Sequence, residues 1–378
     1  MATHPSTRRF HNFYWADLWW LAAIRPRERA WRTELAAALC SLSLGLLFLA
    51  QTLQSPFLIP GLISLMFAVI VGRPTIGPRP VFFAMAVILG SLVIAIPGSL
   101  VWGEGAWELT ALVAVLVAPL IGFYLVGSER VFRWLAPLFL LHALVVLYQG
   151  VIVGTQRAQG LTSTPNPAGG LLTLGAVYFL TSRHKWLALP MMAALPFTAS
   201  RTAMLAMAVV LVLLLLTRRL SWRYLVVGAL VASVVVVGAW GAVETSLRMG
   251  IRYDPVDNHI MDRPFPVWSM RDLTRRFNIE RLPTAAPGGF VNIGDGPPHN
   301  VPLRLGIELG LFAAVAWVGV TWWALKTRPR SSGAWWLLLT IVLLGMLDYY
   351  TWIGPMAGFW WLLIGVKVAP AYLKRVPW

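Results

Sequence analysis

What most constrains this chain is the recurrence of apolar runs long enough to cross a bilayer. They fall at roughly 35–54, 56–71, 80–102, 109–127, 134–154, 167–182, 186–199, 202–217, 223–243, 301–325, 334–350 and 353–369. A spanning helix needs about 20 apolar residues to cross ~30 Å of hydrocarbon. Only 12% of the residues are charged and 58% are hydrophobic, whereas a soluble domain carries about 25% charge. The alternating ~10-residue segments of a membrane β-barrel are absent. The expected fold class is an all-α polytopic membrane protein of about 12 transmembrane helices.

Charge supplies the orientation. The formal net charge is +16, which alone would suggest a nucleic-acid partner. Positions argue otherwise. With residue 1 placed in the cytoplasm and the runs alternating sides, 21 of the 31 cations fall in cytoplasmic segments, among them Arg130, Arg183, Lys185, Arg218 and Lys326. That is the positive-inside bias of short loops, and it places both termini in the cytoplasm. The layout that follows is a basic, amphipathic, interfacial segment at 1–34, transmembrane helices 1–9 at 35–243, one enlarged external loop at 244–300, helices 10–12 at 301–369, and a cytoplasmic tail at 370–378. The loop thus precedes the third-last helix. The N-terminal basic segment suits anionic lipid. No small-residue cleavage site follows a short apolar core there, so no cleaved signal peptide is expected.

Other residue classes exclude functions. Lone Cys40 permits neither a disulfide framework nor a cysteine metal site. Tryptophans such as Trp102, Trp134, Trp186 and Trp322 stand at run ends, where amphipathic rings suit the interface. No H-E-x-x-H, phosphate-binding Gly-rich loop or G-x-S-x-G elbow is present. "DNHIMD" (257–262) is the one metal-like cluster, and a flexible loop holds such residues often; no metal or cofactor is expected. Carboxylates inside the runs are nearly absent apart from Asp348, which argues against a proton-coupled transporter.

Polar chemistry concentrates on the external side. "TQRAQGLTSTPNPAGG" (155–170) joins the fifth and sixth runs and carries Arg157 and Asn166. "TASRTAMLAM" (198–207) puts Arg201 at the start of an apolar helix with Ser200 as a plausible N-cap. A cation at a helix start opposes the dipole, and an anionic ligand would relieve that conflict. The loop 244–300 carries Arg248, Arg252 and Arg263. It leads into "GDGPPHNVPLRLGIELGLF" (294–312), where Asn300 is a good N-cap and Pro302 sits harmlessly in the first turn. Gly306 and Gly310 have small-xxx-small spacing for close helix packing. Arg304 and Glu308 are an i,i+4 pair. His299 has no comparable structural explanation.

These pieces together resemble the O-antigen ligase and O-antigen polymerase-like membrane glycosyltransferases. That family's ligase pattern is His, then Asn, Ser or Gln, nine residues, then Gly-x-x-[Gly/Thr/Tyr]. Here His299-Asn300 precedes nine residues and Gly310-Leu311-Phe312-Ala313, with alanine at the last position. "STPNPAGGLLTLG" (163–175) resembles the family's Asn-Pro-Asn-x-x-Ala helix start. "ASRTAMLAM" resembles its Ser-Arg-Thr-Ala-x-x-Leu segment, with the first essential arginine at Arg201. "DRPFPVWSMRDL" resembles its Gly-Arg-x-x-x-x-Trp segment, placing the second arginine on Arg263, with Asp262 where glycine is usual. "DYYTWIGPMAGFWWLLIG" (348–365) resembles its last hairpin. The likeness covers roughly residues 150–368.

The resemblance implies transfer of a glycan from an undecaprenyl-pyrophosphate carrier to a sugar hydroxyl at the periplasmic face of a bacterial inner membrane. It implies inversion at the anomeric carbon and no metal. Arginine suits the pyrophosphate because it is permanently charged and bidentate; Arg201 and Arg263 are the candidates. Histidine suits proton acceptance at neutral pH; His299 is the candidate. Asn300, Arg304, Arg157, Asn166, Arg248 and Arg252 are the expected substrate-binding residues. The expected partners are the lipid-linked donor, a glycan or lipid-glycan acceptor, and membrane lipid, with no nucleic acid. Ligase, polymerase and protein O-oligosaccharyltransferase remain open as subtypes. A secondary transporter is the non-enzyme alternative, though no internal repeat supports it.

Overall fold

The computed structural model describes residues 26–53, 58–72, 80–91, 129–224, 300–308, 311–328, 332–348 and 355–365, except 82, 156 and 163, together with 226, 230 and 233. Among the described residues every regular element is helical. Helices α1 (Pro26–Leu53) and α2 (Leu58–Gly72) form an antiparallel pair. Residues 80–91 are helical on either side of 82. Helix α3 (Glu129–Leu147) continues into a π turn, Tyr148–Ile152. Helix α4 (Pro165–Thr181) follows, then α5 (Leu189–Ala194) between two 3-10 turns, Lys185–Ala188 and Leu195–Thr198. Helix α6 spans Arg201–Leu216. The C-terminal part holds α7 (Val301–Glu308), α8 (Leu311–Thr327), α9 (Gly333–Leu347) and α10 (Pro355–Gly365). Of the described helices, Arg130–Ile152 is the one long and apolar enough to cross a membrane by those criteria, at 23 residues; Ile59–Gly72, Arg201–Leu216, Leu311–Thr327 and Gly333–Leu347 are shorter apolar helices.

The run at 186–199 differs from a single spanning helix. Pro190 and Pro196 each lack the N–H that would continue the ladder behind them. Each therefore opens a new helical piece, so the segment switches from 3-10 to α and back to 3-10. It ends at Ala199, whose φ of 52° is left-handed. A non-glycine residue there costs about 1–2 kcal/mol.

Rings and buried hydroxyls hold the bundle together. Phe132 of α3 stacks on Tyr178 of α4 and Phe359 of α10, at centroid distances of 5.8 and 5.7 Å. Trp317 of α8 stacks on Trp360 of α10 at 5.3 Å. Ser43 donates to the Gly61 carbonyl at 2.8 Å, and Ser41 donates to that of Val131 at 2.9 Å. These bonds join α1 to α2 and to α3 while satisfying hydroxyls that burial would otherwise penalise.

Packing also sorts the helix ends. Gly333, which begins α9, lies against Thr181, which ends α4; Asp348, just past α9, meets Asn166, near the start of α4. The two helices are therefore antiparallel. Gly169 of α4 lies against Ser200 and Ala203, so α4 and α6 start at the same end of the bundle. Cations gather at the other end. Arg218 (φ 55°) closes α6, with Arg219 N–H bonding to Leu214 O and Arg218 N–H to Leu215 O. This is a Schellman closure with basic residues on the negative end of the dipole. Lys185 Nζ donates to the Arg219 carbonyl at 3.1 Å. Arg328 is buried and donates to the Ile364 carbonyl at 3.0 Å. Burial pulls its pKa down to about 9, still well above neutral.

Candidate functional site

The amide-bearing end is assembled on the last turn of α9. Helix C-termini leave carbonyls without intrahelical donors, and here Asn300 supplies one: its Nδ2 donates to Met346 O at 3.0 Å. The same side chain caps its own helix, because Oδ1 accepts the Leu303 N–H at 3.2 Å. Two residues beyond Met346, the buried Asp348 carboxylate accepts Asn166 Nδ2 at 3.0 Å. That bond crosses 182 positions of sequence.

Local sequence explains why these groups stand at helix starts. Thr164 is extended (φ −145°, ψ 158°), and Pro165 and Pro167 occupy the first turn of α4, where a missing N–H leaves nothing unsatisfied. Asn166 is held between them. Ser200 takes the N-cap position of α6 (φ −81°, ψ 95°), but its hydroxyl makes no capping bond. Instead Ser200 Oγ is buried and has no hydrogen-bond partner. Gly169 explains the burial: a Cβ at that position would stand 2.7 Å from Ser200 Cβ. Arg201, the first residue of α6, is exposed.

Three sequence signals thus converge on one end. The Asn166 start of α4, the Ser200-Arg201 start of α6 and the Asn300 start of α7 meet around the end of α9. Asn166 and Asn300, read from sequence as substrate-binding, spend hydrogen bonds on the protein itself and so anchor the site. Arg157 is exposed on the connection into α4. His299, Arg263, Arg248 and Arg252 lie outside the described residues, as do the side chains of Arg304 and Glu308 and all of the 244–299 loop. Gly306 is buried, as close packing expects, while Gly310 is outside the described residues. No group of three or more potential metal ligands occurs among the described residues; "DNHIMD" is not among them.

Sequence reasoning missed two polar anchors, His142 and Gln149, within what reads as a plain apolar run. Their one signal was a polar side chain where hydrophobic ones prevail. It also passed over the partnership of Asp348, which composition flagged but could not pair.

Compared with known proteins, the chain matches no protein-family model, and no curated protein matches it.

Proposed function

We propose that this chain is a polytopic membrane glycosyltransferase acting on the external face of a bacterial inner membrane. It transfers a glycan from an undecaprenyl-pyrophosphate carrier to a sugar hydroxyl, as an O-antigen ligase-like enzyme. The observation that carries the proposal is the meeting of the Asn166, Arg201 and Asn300 helix starts at one end, opposite the end rich in cations. Helix starts present unpaired N–H groups and positive potential, and Arg201 adds a full charge. That chemistry suits the developing charge on a departing pyrophosphate. His299 directly precedes anchored Asn300 in the sequence, and in this proposal it accepts the proton of the attacking hydroxyl. Arg263 and the other loop arginines join the donor side of the same site in this proposal.

Exposed apolar side chains favour a membrane setting, and the apolar runs of the sequence are the basis for proposing about 12 spans. Ile70, Phe83, Leu216, Phe312 and Trp322 are all exposed. Soluble monomers rarely expose contiguous apolar patches beyond a few hundred Å², whereas lipid tails accept them.

The test is transfer in proteoliposomes with a lipid-linked donor. His299→Ala and Arg201→Ala should insert normally and lose transfer. Retention of full transfer by either variant defeats the mechanism. Chelation by EDTA should leave the rate unchanged; a loss restored by a divalent ion would return attention to Asp257 and His259. Cells lacking the protein separate the subtypes. Unattached long glycans indicate a ligase, single repeat units a polymerase.

A further inference from the structure

The proposed reaction leaves His142 unused, although it is fully buried and bonded on both ring nitrogens. Nδ1 accepts the Leu161 N–H at 3.0 Å, and Nε2 lies 3.2 Å from the Ala168 carbonyl. An accepting Nδ1 leaves the proton on Nε2, which donates to Ala168. Seven residues later, on the same helical face, Gln149 Oε1 accepts the N–H groups of Gln159 and Gly160 at 3.0 and 2.7 Å. Gly160 has a φ of +60°, and a Cβ there would stand 2.3 Å from the imidazole. Only glycine meets both the conformation and the contact. One residue before Gln159, Ala158 donates its N–H to Phe197 O at 2.9 Å.

Connections between helices usually leave their backbone to solvent. This one gives its amides at 158, 159, 160 and 161 to acceptors on neighbouring elements, at Phe197, Gln149 and His142. Arg157 immediately precedes that latched stretch, and Asn166 follows it. A slip of one residue at 159–161 would displace both.

We propose that His142 and Gln149 are positioning residues, which latch the 155–164 connection in the register that presents Arg157 to the anionic donor and carries Asn166 to its bond with Asp348. The identity of that donor rests on the function proposed above; the latch does not. A preorganised connection lowers the cost of ordering on binding. Its loss therefore weakens donor binding in ground state and transition state alike, raising KM and sparing kcat.

The experiment uses the full chain in nanodiscs, with amide exchange read by mass spectrometry and transfer kinetics measured with an undecaprenyl-pyrophosphate-linked donor. His142→Phe keeps a ring and removes both bonds. Gln149→Leu, at a half-buried position, is the milder second variant. Each should accelerate exchange at 159–161 by about tenfold or more, with the 167–180 amides still protected. Donor KM should rise by about the same factor, with kcat within about twofold. His142→Gln, which retains one donor and one acceptor, should recover part of both effects. Unchanged exchange in both variants overturns the latch. Faster exchange with an unchanged KM, or a loss in kcat equal to that in kcat/KM, overturns the positioning role. Should the unaltered chain neither bind undecaprenyl pyrophosphate nor transfer its glycan, the proposed function fails, and the exchange data alone then uphold or overturn the latch.

Discussion

The two ends of this bundle close their helices with different chemistry. At one end cations terminate helices: Lys185 and Arg328 donate to backbone carbonyls, and Arg218 and Arg219 close α6. Arg130 and Glu34 pair there at 3.4 Å, with Trp134 Nε1 also donating to Glu34 at 3.3 Å. At the other end side-chain amides, one imidazole and one carboxylate do the joining: Asn300 to Met346, Asn166 to Asp348, His142 and Gln149 to the 155–164 connection. A cation on a helix C-terminus is stabilising wherever the helix sits, which explains Lys185, Arg218, Arg219 and Arg328, while Arg130, at the start of α3, is explained by its ion pair with Glu34. The amide end is different. Its cross-links hold helix starts together, and it carries an exposed arginine at one of them. Stability alone does not require a cation at a helix start.

The strongest way to break this contrast is to compare functional cost at the two ends. Arg201→Ala and His299→Ala should each reduce glycan transfer by about a hundredfold or more. Lys185→Ala, at the other end, should leave transfer near the parent rate. Equal losses at both ends would mean that general destabilisation governs activity.

Next in size is the Asn166–Asp348 bond. A double-mutant cycle with Asn166→Ala and Asp348→Ala, followed by thermal unfolding in detergent, should give a coupling of about 1.5–3 kcal/mol, as for hydrogen bonds to charged groups. A coupling near zero would show that α4 and α9 are joined by their apolar faces alone. Asn300→Ala removes a cap and a cross-helix bond. It should cost about 1 kcal/mol through the cap, and Asn300→Ser, which can still cap but is too short to reach Met346, separates the two contributions. The smallest effect belongs to the cationic end. Glu34→Gln removes a partly exposed ion pair and should change stability by less than about 1 kcal/mol. A larger change would contradict the view that the ion pair there is incidental to the fold.

The legible part of the molecule was its local grammar. Apolar runs marked α4, α6 and α9 to within about three residues and α3 with its π turn to within about five, while the run at 301–325 covers α7 and most of α8 together; burial and helix length are properties of the stretch itself. Asn300 was recognisable as a cap, since its bond to Leu303 spans only three residues. Ser200 was placed correctly at its helix start, yet its capping bond is not made: the close approach of Gly169 buries the hydroxyl between helices instead. The run at 186–199 reads as one span by composition, and its two prolines divide it. In α3, by contrast, the helix continues past Pro137, so a proline in an apolar run does not decide by itself whether the helix continues.

By itself, then, the sequence determined the helical class, where most helices begin, and which end of each carries cations, because those depend on hydropathy, caps and charge within a few turns. Only the tertiary structure decided that Asn166 bonds to Asp348, that Asn300 is tied to the end of α9, and that His142 and Gln149 hold the connection before α4. Each of those bonds joins groups on separate elements. Single polar residues carry no record of their partners along the chain; helix packing brings them within hydrogen-bond distance, and burial then makes an unsatisfied polar group too costly to leave.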